Sequence, residues 1–136
     1  ANVLVTTAGV CKLADFGCSK LLLDMNETDR EETLQRIRGS VPWMAPEVVQ
    51  ETQYHFPADI WSLGATVLEM ASGQRPWPNV REQLPAIFKI GQTKEGPPIP
   101  DHVPPSVCEF LRPLFAINPS DRPSAAELDD HHPFLA

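Results

Sequence analysis

The segment that most constrains the fold is a run of apolar residues between positions 59 and 71. Asp59 is a good helix N-cap, and Gly73 and Pro76 are typical terminators, so the sequence predicts a helix from Asp59 to about Ala71. Its apolar residues point in nearly every direction: Ile60, Trp61, Leu63, Ala65, Val67, Leu68 and Met70. A helix that is apolar all round is normally buried. We therefore expect this helix to form the centre of the core.

The remainder of the chain predicts a hairpin, then a polar loop, then helices only. Residues 2–5 and 10–14 are short β-like runs joined by a four-residue turn that contains Gly9. Residues 24–38 are rich in both charge signs and are typical of a loop. Further helices are predicted at 47–51, 80–90, 106–115 and 125–130. The third of these has a buried stripe of Val107, Phe110, Leu111 and Leu114. The expected fold class is mainly α with an N-terminal β-hairpin.

Composition excludes several classes of protein. The 136 residues suit one domain, and a formal net charge of −7 without a dense Lys/Arg cluster argues against nucleic-acid or membrane-surface binding. The three cysteines, Cys11, Cys18 and Cys108, are widely spaced and odd in number, so we expect reduced thiols and a cytoplasmic protein. No initiator Met or signal region begins the chain, so we expect that an upstream segment has been removed.

Four short motifs carry the chemistry, and their order matters more than any one of them. Asp15-Phe16-Gly17 follows the second β-like run; alone, it is better explained as an Asp in a Gly turn. Ala45-Pro46-Glu47 follows roughly 30 residues later, then Asp59-Ile60-Trp61-Ser62-Leu63-Gly64, then Asp121-Arg122-Pro123. Asp-Phe-Gly and Ala-Pro-Glu mark the two ends of a protein kinase activation segment.

With these motifs the whole chain resembles the large, C-terminal lobe of a eukaryotic serine/threonine protein kinase domain. The runs Gly39–Glu47 (GSVPWMAPE) and Asp15–Lys20 (DFGCSK) resemble the sterile-type group, and within it mitogen-activated protein kinase kinase kinases. The resemblance implies that residues 1–136 form a partial kinase domain. It would run from the catalytic-loop Asn to the end of the lobe, with an activation segment at 15–47 and the small lobe missing.

The resemblance also implies ATP and Mg²⁺ as cofactors. Asp15 would hold one metal ion with hard carboxylate oxygens, the ligands that magnesium prefers. Asn2 would hold a second metal ion, although a simple turn residue is the alternative at this position. Leu4 and Ala14 would line the nucleotide pocket, Leu4 beneath the adenine and Ala14 just before the metal-binding Asp. Plain strand packing is compatible with both of these roles.

Regulation and substrate binding would fall in the activation segment. Thr28, Thr33 and Ser40 can be phosphorylated, and a phosphate can order a loop through a nearby arginine. Thr33 is the first candidate for a regulatory site, with a solvated loop residue as an equal alternative. The resemblance implies that Ser40 faces the substrate and supports the catalytic residues. Residues Val41, Pro42 and Trp43 would form the floor for the residue after the phosphoacceptor.

Three further residues have implied structural roles. Glu47 and Arg122 would meet as a buried pair that ties the activation segment to the helices. An Arg binds a carboxylate through two hydrogen bonds, a geometry that Lys cannot reproduce. Asp59 would cap its helix and also reach back to the catalytic-loop backbone.

The predicted function is phosphorylation of serine or threonine in proteins, within a mitogen-activated kinase cascade. A protein substrate, such as a downstream kinase, and an upstream activating kinase would be its partners; the sequence leaves the oligomeric state open. The Gly-rich loop, the ATP-binding Lys and the catalytic Asp are not in this sequence, so we expect the chain alone to be inactive. The alternative is a non-catalytic, pseudokinase-like or truncated binding module. The presence of both Asn2 and Asp15 weighs mildly against it.

Overall fold

The computed structural model describes residues 2–16, 41–50, 55–80 and 82–131. The chain divides into two compact units, residues 1–38 and 39–136. The described part of the first unit is a two-stranded sheet, and the described part of the second unit is helical. The expected fold class is therefore confirmed. Thr28, Thr33, Ser40 and the predicted polar loop at 24–38 lie outside the described residues.

The first unit contains the predicted hairpin, with shorter strands than expected. Strand β1 (Val3–Val5) pairs antiparallel with β2 (Cys11–Leu13). Thr6 closes the turn twice: its N–H donates to the Val10 carbonyl at 2.9 Å, and its hydroxyl accepts from the Val10 N–H at 3.0 Å. Gly9 has a φ of +81°, a conformation that Gly adopts at little cost. The turn therefore holds the strands in register.

The second unit contains five α-helices and two short 3₁₀ helices in its described part. The α-helices are α1 (Pro46–Val49), α2 (Pro57–Ser72), α3 (Gln83–Gly91), α4 (Pro105–Leu114) and α5 (Ala125–His131). The 3₁₀ helices are Val41–Trp43 and Pro119–Asp121. Helix α2 packs against α4 and against both 3₁₀ helices, so it is the central element of this unit.

The start of α2 corrects the predicted N-cap. The helix begins at Pro57 and its N-cap is Phe56, so Asp59 lies inside the first turn and does not cap the helix. The fixed φ of proline suits the first helical position, which explains the earlier start. The Asp59 carboxylate still interacts favourably with the N-terminal end of the helix dipole. The predicted end is confirmed: Gly73 adopts a φ of +69°, and its N–H donates to the Glu69 carbonyl at 2.8 Å.

Burial of α2 is one-sided, so the expectation of a helix buried all round is wrong. The buried residues are Ile60, Trp61, Gly64, Ala65 and Leu68, which share one face. On the opposite face, Phe56, Leu63 and Met70 are 76%, 42% and 79% exposed. These three residues are seven apart, almost two helical turns, so they form one stripe. We call them the exposed α2 stripe.

Helices α2 and α4 approach closely around Phe115. A Cβ placed on Gly64 would lie 3.0 Å from Phe115 Cε1 and 3.1 Å from Leu114 Cβ. The Trp61 and Phe115 rings meet edge to face, with centroids 5.1 Å apart and an interplanar angle of 70°. The predicted stripe of α4 is confirmed, since Val107, Phe110, Leu111 and Leu114 are all buried. The core of this unit therefore lies between α2 and α4.

The remaining helix ends follow local chemistry. Helix α3 begins at Gln83 rather than at Val80, which places Pro85 in the first turn, where its missing N–H removes no helical hydrogen bond. Ser124 precedes α5 and exchanges hydrogen bonds with Glu127 three residues later: the Glu127 N–H donates to Ser124 Oγ, and the Ser124 N–H donates to the Glu127 carboxylate. This arrangement is a capping box, and it confirms the prediction that Ser124 caps the last helix.

Candidate functional site

The open end of the hairpin brings together Asn2 and Asp15. The Ala14 N–H donates to the Asn2 carbonyl at 2.9 Å, one residue beyond the paired strands. Asp15 is therefore the next residue in the chain after Ala14, whose N–H is hydrogen-bonded to Asn2. Both residues are exposed. A carboxylate and a side-chain amide oxygen thus occupy the same end of one small sheet.

Asp15 has an unusual backbone conformation. Its φ is +64°, and it is the one residue other than Gly with a positive φ in the part of the chain that the structure describes. The left-handed region costs an L-residue roughly 1–2 kcal/mol, and Asp and Asn tolerate it better than most. Conformations of this kind are concentrated at functional sites. The chain therefore turns sharply at the residue that the kinase resemblance predicts to bind a metal.

The donor set at this end fits magnesium and a nucleotide phosphate. Magnesium is usually bound by one or two carboxylates together with waters and substrate phosphates, rather than by a complete protein cage. Across residues 2–16, 41–50, 55–80 and 82–131 there is no group of three or more His, Cys, Asp or Glu placed to hold a metal. Asn2 and Asp15 would accordingly supply part of a ligand shell. Leu4 is exposed on β1 opposite Lys12, and Ala14 is half-buried.

The structure brings Glu47 and Arg122 together across 75 residues of sequence. Arg122 Nη1 donates to Glu47 Oε1 at 2.6 Å, and Nη2 donates to Oε2 at 2.9 Å. The Arg122 side chain is 0% exposed and that of Glu47 is 10% exposed. Glu47 lies in the first turn of α1, and Arg122 follows the 3₁₀ helix Pro119–Asp121. The pair therefore fixes α1 to the C-terminal part of the unit.

Arg122 is satisfied by further partners. Its Nη1 also donates to the Pro57 carbonyl at 2.9 Å, and its Nε donates to the Ala116 carbonyl at 2.8 Å. The guanidinium carbon lies 5.0 Å from the centroid of the Trp61 ring, a cation–π contact. One guanidinium therefore joins α1, the start of α2 and the end of α4. Lys has neither the planar fork nor enough fixed donors for this arrangement.

The segment Val41–Trp43 is attached to α2 by two hydrogen bonds. Ser62 Oγ donates to the Trp43 carbonyl at 2.9 Å, and Trp43 Nε1 donates to Glu69 Oε2 at 3.2 Å. Val41 is 1% exposed, whereas Pro42 and Trp43 are half-buried. Sequence reasoning did not identify Ser62 or Glu69 as partners of this segment. Polar residues seven apart in a largely apolar helix were the available signal.

Two general features of the described residues complete the description. None of the helices in the described ranges combines the length and the apolar character needed to cross a membrane. Cys11 and Cys108 are free thiols, the first exposed and the second half-buried.

Comparison with known proteins identifies the family. Residues 1–135 match the family described as the protein kinase domain, so the chain belongs to the protein kinase domain family.

Its relatives include kinases of mitogen-activated cascades. It is 43% identical to "Mitogen-activated protein kinase kinase kinase 2" of Arabidopsis thaliana, over 99% of this chain and 20% of the relative. It is 45% identical to "Serine/threonine-protein kinase BCK1/SLK1/SSP31" of Saccharomyces cerevisiae (96% of the chain, 9% of the relative). It is 42% identical to "MAP kinase kinase kinase mkh1" of Schizosaccharomyces pombe (98% and 12%). The predicted resemblance to a serine/threonine kinase most like a mitogen-activated protein kinase kinase kinase is thus confirmed. The chain spans a fifth or less of the length of these relatives.

Proposed function

We propose that this chain is part of an ATP-dependent serine/threonine protein kinase that acts in a mitogen-activated kinase cascade. The observation that carries the proposal is the open end of the hairpin, where Asp15 turns into the left-handed region beside Asn2. The family match and the printed names of the relatives support the same activity. We also assign the protein to the cytoplasm, which the free thiols of Cys11 and Cys108 support.

At the hairpin end, Asp15 and Asn2 hold the metal ions that accompany ATP. Magnesium neutralises the charge of the phosphates during phosphoryl transfer. The protein's contribution here is position: the paired strands and the bond from Ala14 to Asn2 keep the two oxygen donors at one end of the sheet. Leu4 and Ala14 line the nucleotide pocket from the same hairpin.

Substrate and regulatory contacts belong to residues 15–47. The exposed surfaces of Pro42 and Trp43 form the floor for the residue after the phosphoacceptor, while Val41 anchors this floor from below. Ser40 supports the catalytic residues, and Thr28 or Thr33 accepts phosphate from an upstream kinase. The protein substrate is a downstream kinase, in keeping with the names of the relatives. Asp59, which is exposed in the first turn of α2, reaches the catalytic-loop backbone in the complete domain.

Transfer of labelled phosphate from ATP tests the proposal on the full-length protein that contains this chain. We expect magnesium-dependent transfer to serine or threonine of a protein substrate, and a loss of at least about 100-fold in Asp15→Ala. Asp101→Ala removes another exposed carboxylate and should keep full activity. A full-length protein that binds partner kinases without transferring phosphate would instead be the binding module. The 136-residue chain alone should be inactive in the same assay.

A further inference from the structure

One face of α2 carries three polar side chains beneath the substrate-facing segment Val41–Trp43. Ser62, Thr66 and Glu69 are four and three residues apart, so they lie on one side of the helix. Ser62 and Glu69 each bond to Trp43, and the Thr66 hydroxyl donates back to the Ser62 carbonyl at 2.9 Å. All three residues are half-buried. This face therefore holds a short irregular segment on a regular helix.

The two bonds fix different parts of Trp43. Ser62 Oγ reaches the backbone carbonyl at 2.9 Å, whereas Glu69 Oε2 accepts from the indole N–H at 3.2 Å. An indole can only donate, and an ionised carboxylate can only accept, so the direction of the second bond is fixed by chemistry. The carbonyl bond sets where the chain passes over α2. The indole bond sets how the large ring is turned.

The segment is therefore anchored at both ends. Val41 is 1% exposed and holds the first residue by packing, while Trp43 is held by hydrogen bonds. Pro42 lies between them, and proline restricts its own backbone φ. Little freedom remains in the three residues. A binding surface that is already ordered before the ligand arrives avoids the entropic cost of ordering.

We propose that Glu69 and Ser62 are positioning residues for protein substrate binding, Glu69 through the Trp43 indole and Ser62 through the Trp43 backbone. Neither residue touches the reacting atoms; both act through the surface that Trp43 and Pro42 present. The inference rests on the proposed kinase function. It names the side chains that set the shape of the floor for the residue after the phosphoacceptor.

Steady-state kinetics of the full-length protein test this inference. Glu69→Ala and Trp43→Phe each remove the indole bond, and we expect each to raise KM for the protein substrate about fivefold, the effect of one ordinary hydrogen bond. The KM for ATP and kcat should stay within about twofold of wild type, because the metal-binding residues are untouched. Ser62→Ala should raise KM for the protein substrate to a similar degree.

Conservative and paired variants separate positioning from general stability. Glu69→Gln keeps an acceptor oxygen and should restore most of the affinity that Glu69→Ala loses. The double variant Glu69→Ala/Trp43→Phe should be no worse than either single change, because both remove the same bond. Glu109→Ala removes an exposed carboxylate from α4 and should leave all constants unchanged.

The outcomes distinguish failure of the inference from failure of the proposed function. An unchanged KM for the protein substrate in both Glu69→Ala and Trp43→Phe would refute the inference while wild-type turnover still supports the kinase function. If Glu69→Ala lowered kcat and raised the KM for ATP to the same degree as the KM for the protein substrate, Glu69 would have only a structural role. That result would also overturn the inference. Trp43→Phe keeps an aromatic ring, so it provides a result even if Glu69→Ala fails to fold. If the wild-type protein showed no phosphoryl transfer, both the proposed kinase function and the inference would be refuted.

Discussion

Arg122 donates two hydrogen bonds, of 2.6 and 2.9 Å, to the carboxylate of Glu47, although the two residues are 75 positions apart in the sequence. The same guanidinium donates to the carbonyls of Pro57 and Ala116 and lies over the Trp61 ring. Breaking a buried pair from one side leaves an uncompensated charge, which is more costly than removing both partners. Within the helical unit, the pair therefore holds α1 to the start of α2 and to the residues that follow α4.

Arg122→Met should lower the free energy of unfolding by about 3–5 kcal/mol, because the buried Glu47 carboxylate then loses both of its hydrogen bonds from the guanidinium. The double variant Glu47→Met/Arg122→Met should lose less than the sum of the two single variants, since no charge is left behind. Denaturant unfolding of the four proteins gives the coupling. Arg112→Met, at an exposed position of α4, is the matched control and should change little. Additive losses would show that the pair contributes no coupling.

The contact between α2 and Phe115 predicts opposite outcomes for two helical glycines. A methyl group on Gly64 would meet Phe115 and Leu114 at 3.0–3.1 Å, and Phe115 is also confined by Gly96, where a Cβ would lie 2.6 Å from Phe115 Cβ. Gly64→Ala should therefore destabilise the protein by about 1–3 kcal/mol despite the better helix propensity of Ala.

Gly91→Ala provides the control for Gly64→Ala. Its new Cβ would lie 3.5 Å from Val49, an ordinary contact, so the propensity gain of up to about 1 kcal/mol should appear as a raised melting temperature. Equal effects of the two substitutions would contradict the assignment of Gly64 as a close-packing position.

How far the sequence predicted the fold depended on whether each signal was local. The hairpin, the α4 stripe and the Ser124 cap follow from residues a few positions apart, and the structure confirms them. The predicted start of α2 was wrong because Pro57, two residues before Asp59, suits the first helical position. The helix therefore begins before Asp59 can cap it. The prediction that α2 is buried on all sides was wrong because an apolar residue pattern does not show whether another element packs against each face.

In the candidate site, too, the sequence predicted local features better than contacts between distant residues. The kinase resemblance implied metal binding by Asn2 and Asp15, but the positive φ of Asp15 is a backbone property that no side-chain pattern reports. Ser62 and Glu69 were missed because their partner Trp43 is 19 and 26 residues away, and neither spacing follows a helical or strand period. Only the packing of the 3₁₀ helix on α2 brings these groups together.

The exposed α2 stripe predicts binding of an apolar dye to the 136-residue chain. Phe56, Leu63 and Met70 present apolar side chains along one line, which exceeds scattered surface exposure. Leu63→Gln/Met70→Gln should lower dye fluorescence markedly while the denaturation midpoint stays unchanged, because both side chains lie outside the core. Leu68→Gln, on the buried face of the same helix, should instead destabilise the protein by about 2–5 kcal/mol. Unchanged dye binding in the double variant would mean that the dye binds elsewhere.

The left-handed conformation of Asp15 predicts a reversal of the usual order of Gly and Ala. In an extended strand Ala is the better residue, but at a φ of +64° the Cβ of Ala is strained and Gly is not. Asp15→Gly and Asp15→Ala lose the same carboxylate and all its contacts, so their difference isolates the backbone. We expect Asp15→Gly to protect the hairpin better than Asp15→Ala by about 1–2 kcal/mol.

Amide hydrogen exchange at Ala14 measures this difference, because its N–H is bonded to the Asn2 carbonyl and is released when the hairpin end opens. Gly9→Ala is the matched change in the turn of the same hairpin: its φ of +81° should make it weaken protection by a similar amount. Greater protection in Asp15→Ala than in Asp15→Gly would contradict the left-handed turn at Asp15. If the order is as expected, Asp15→Gly should still lack phosphoryl transfer in the full-length protein. The strain at this position would then serve the placement of the carboxylate rather than the stability of the hairpin.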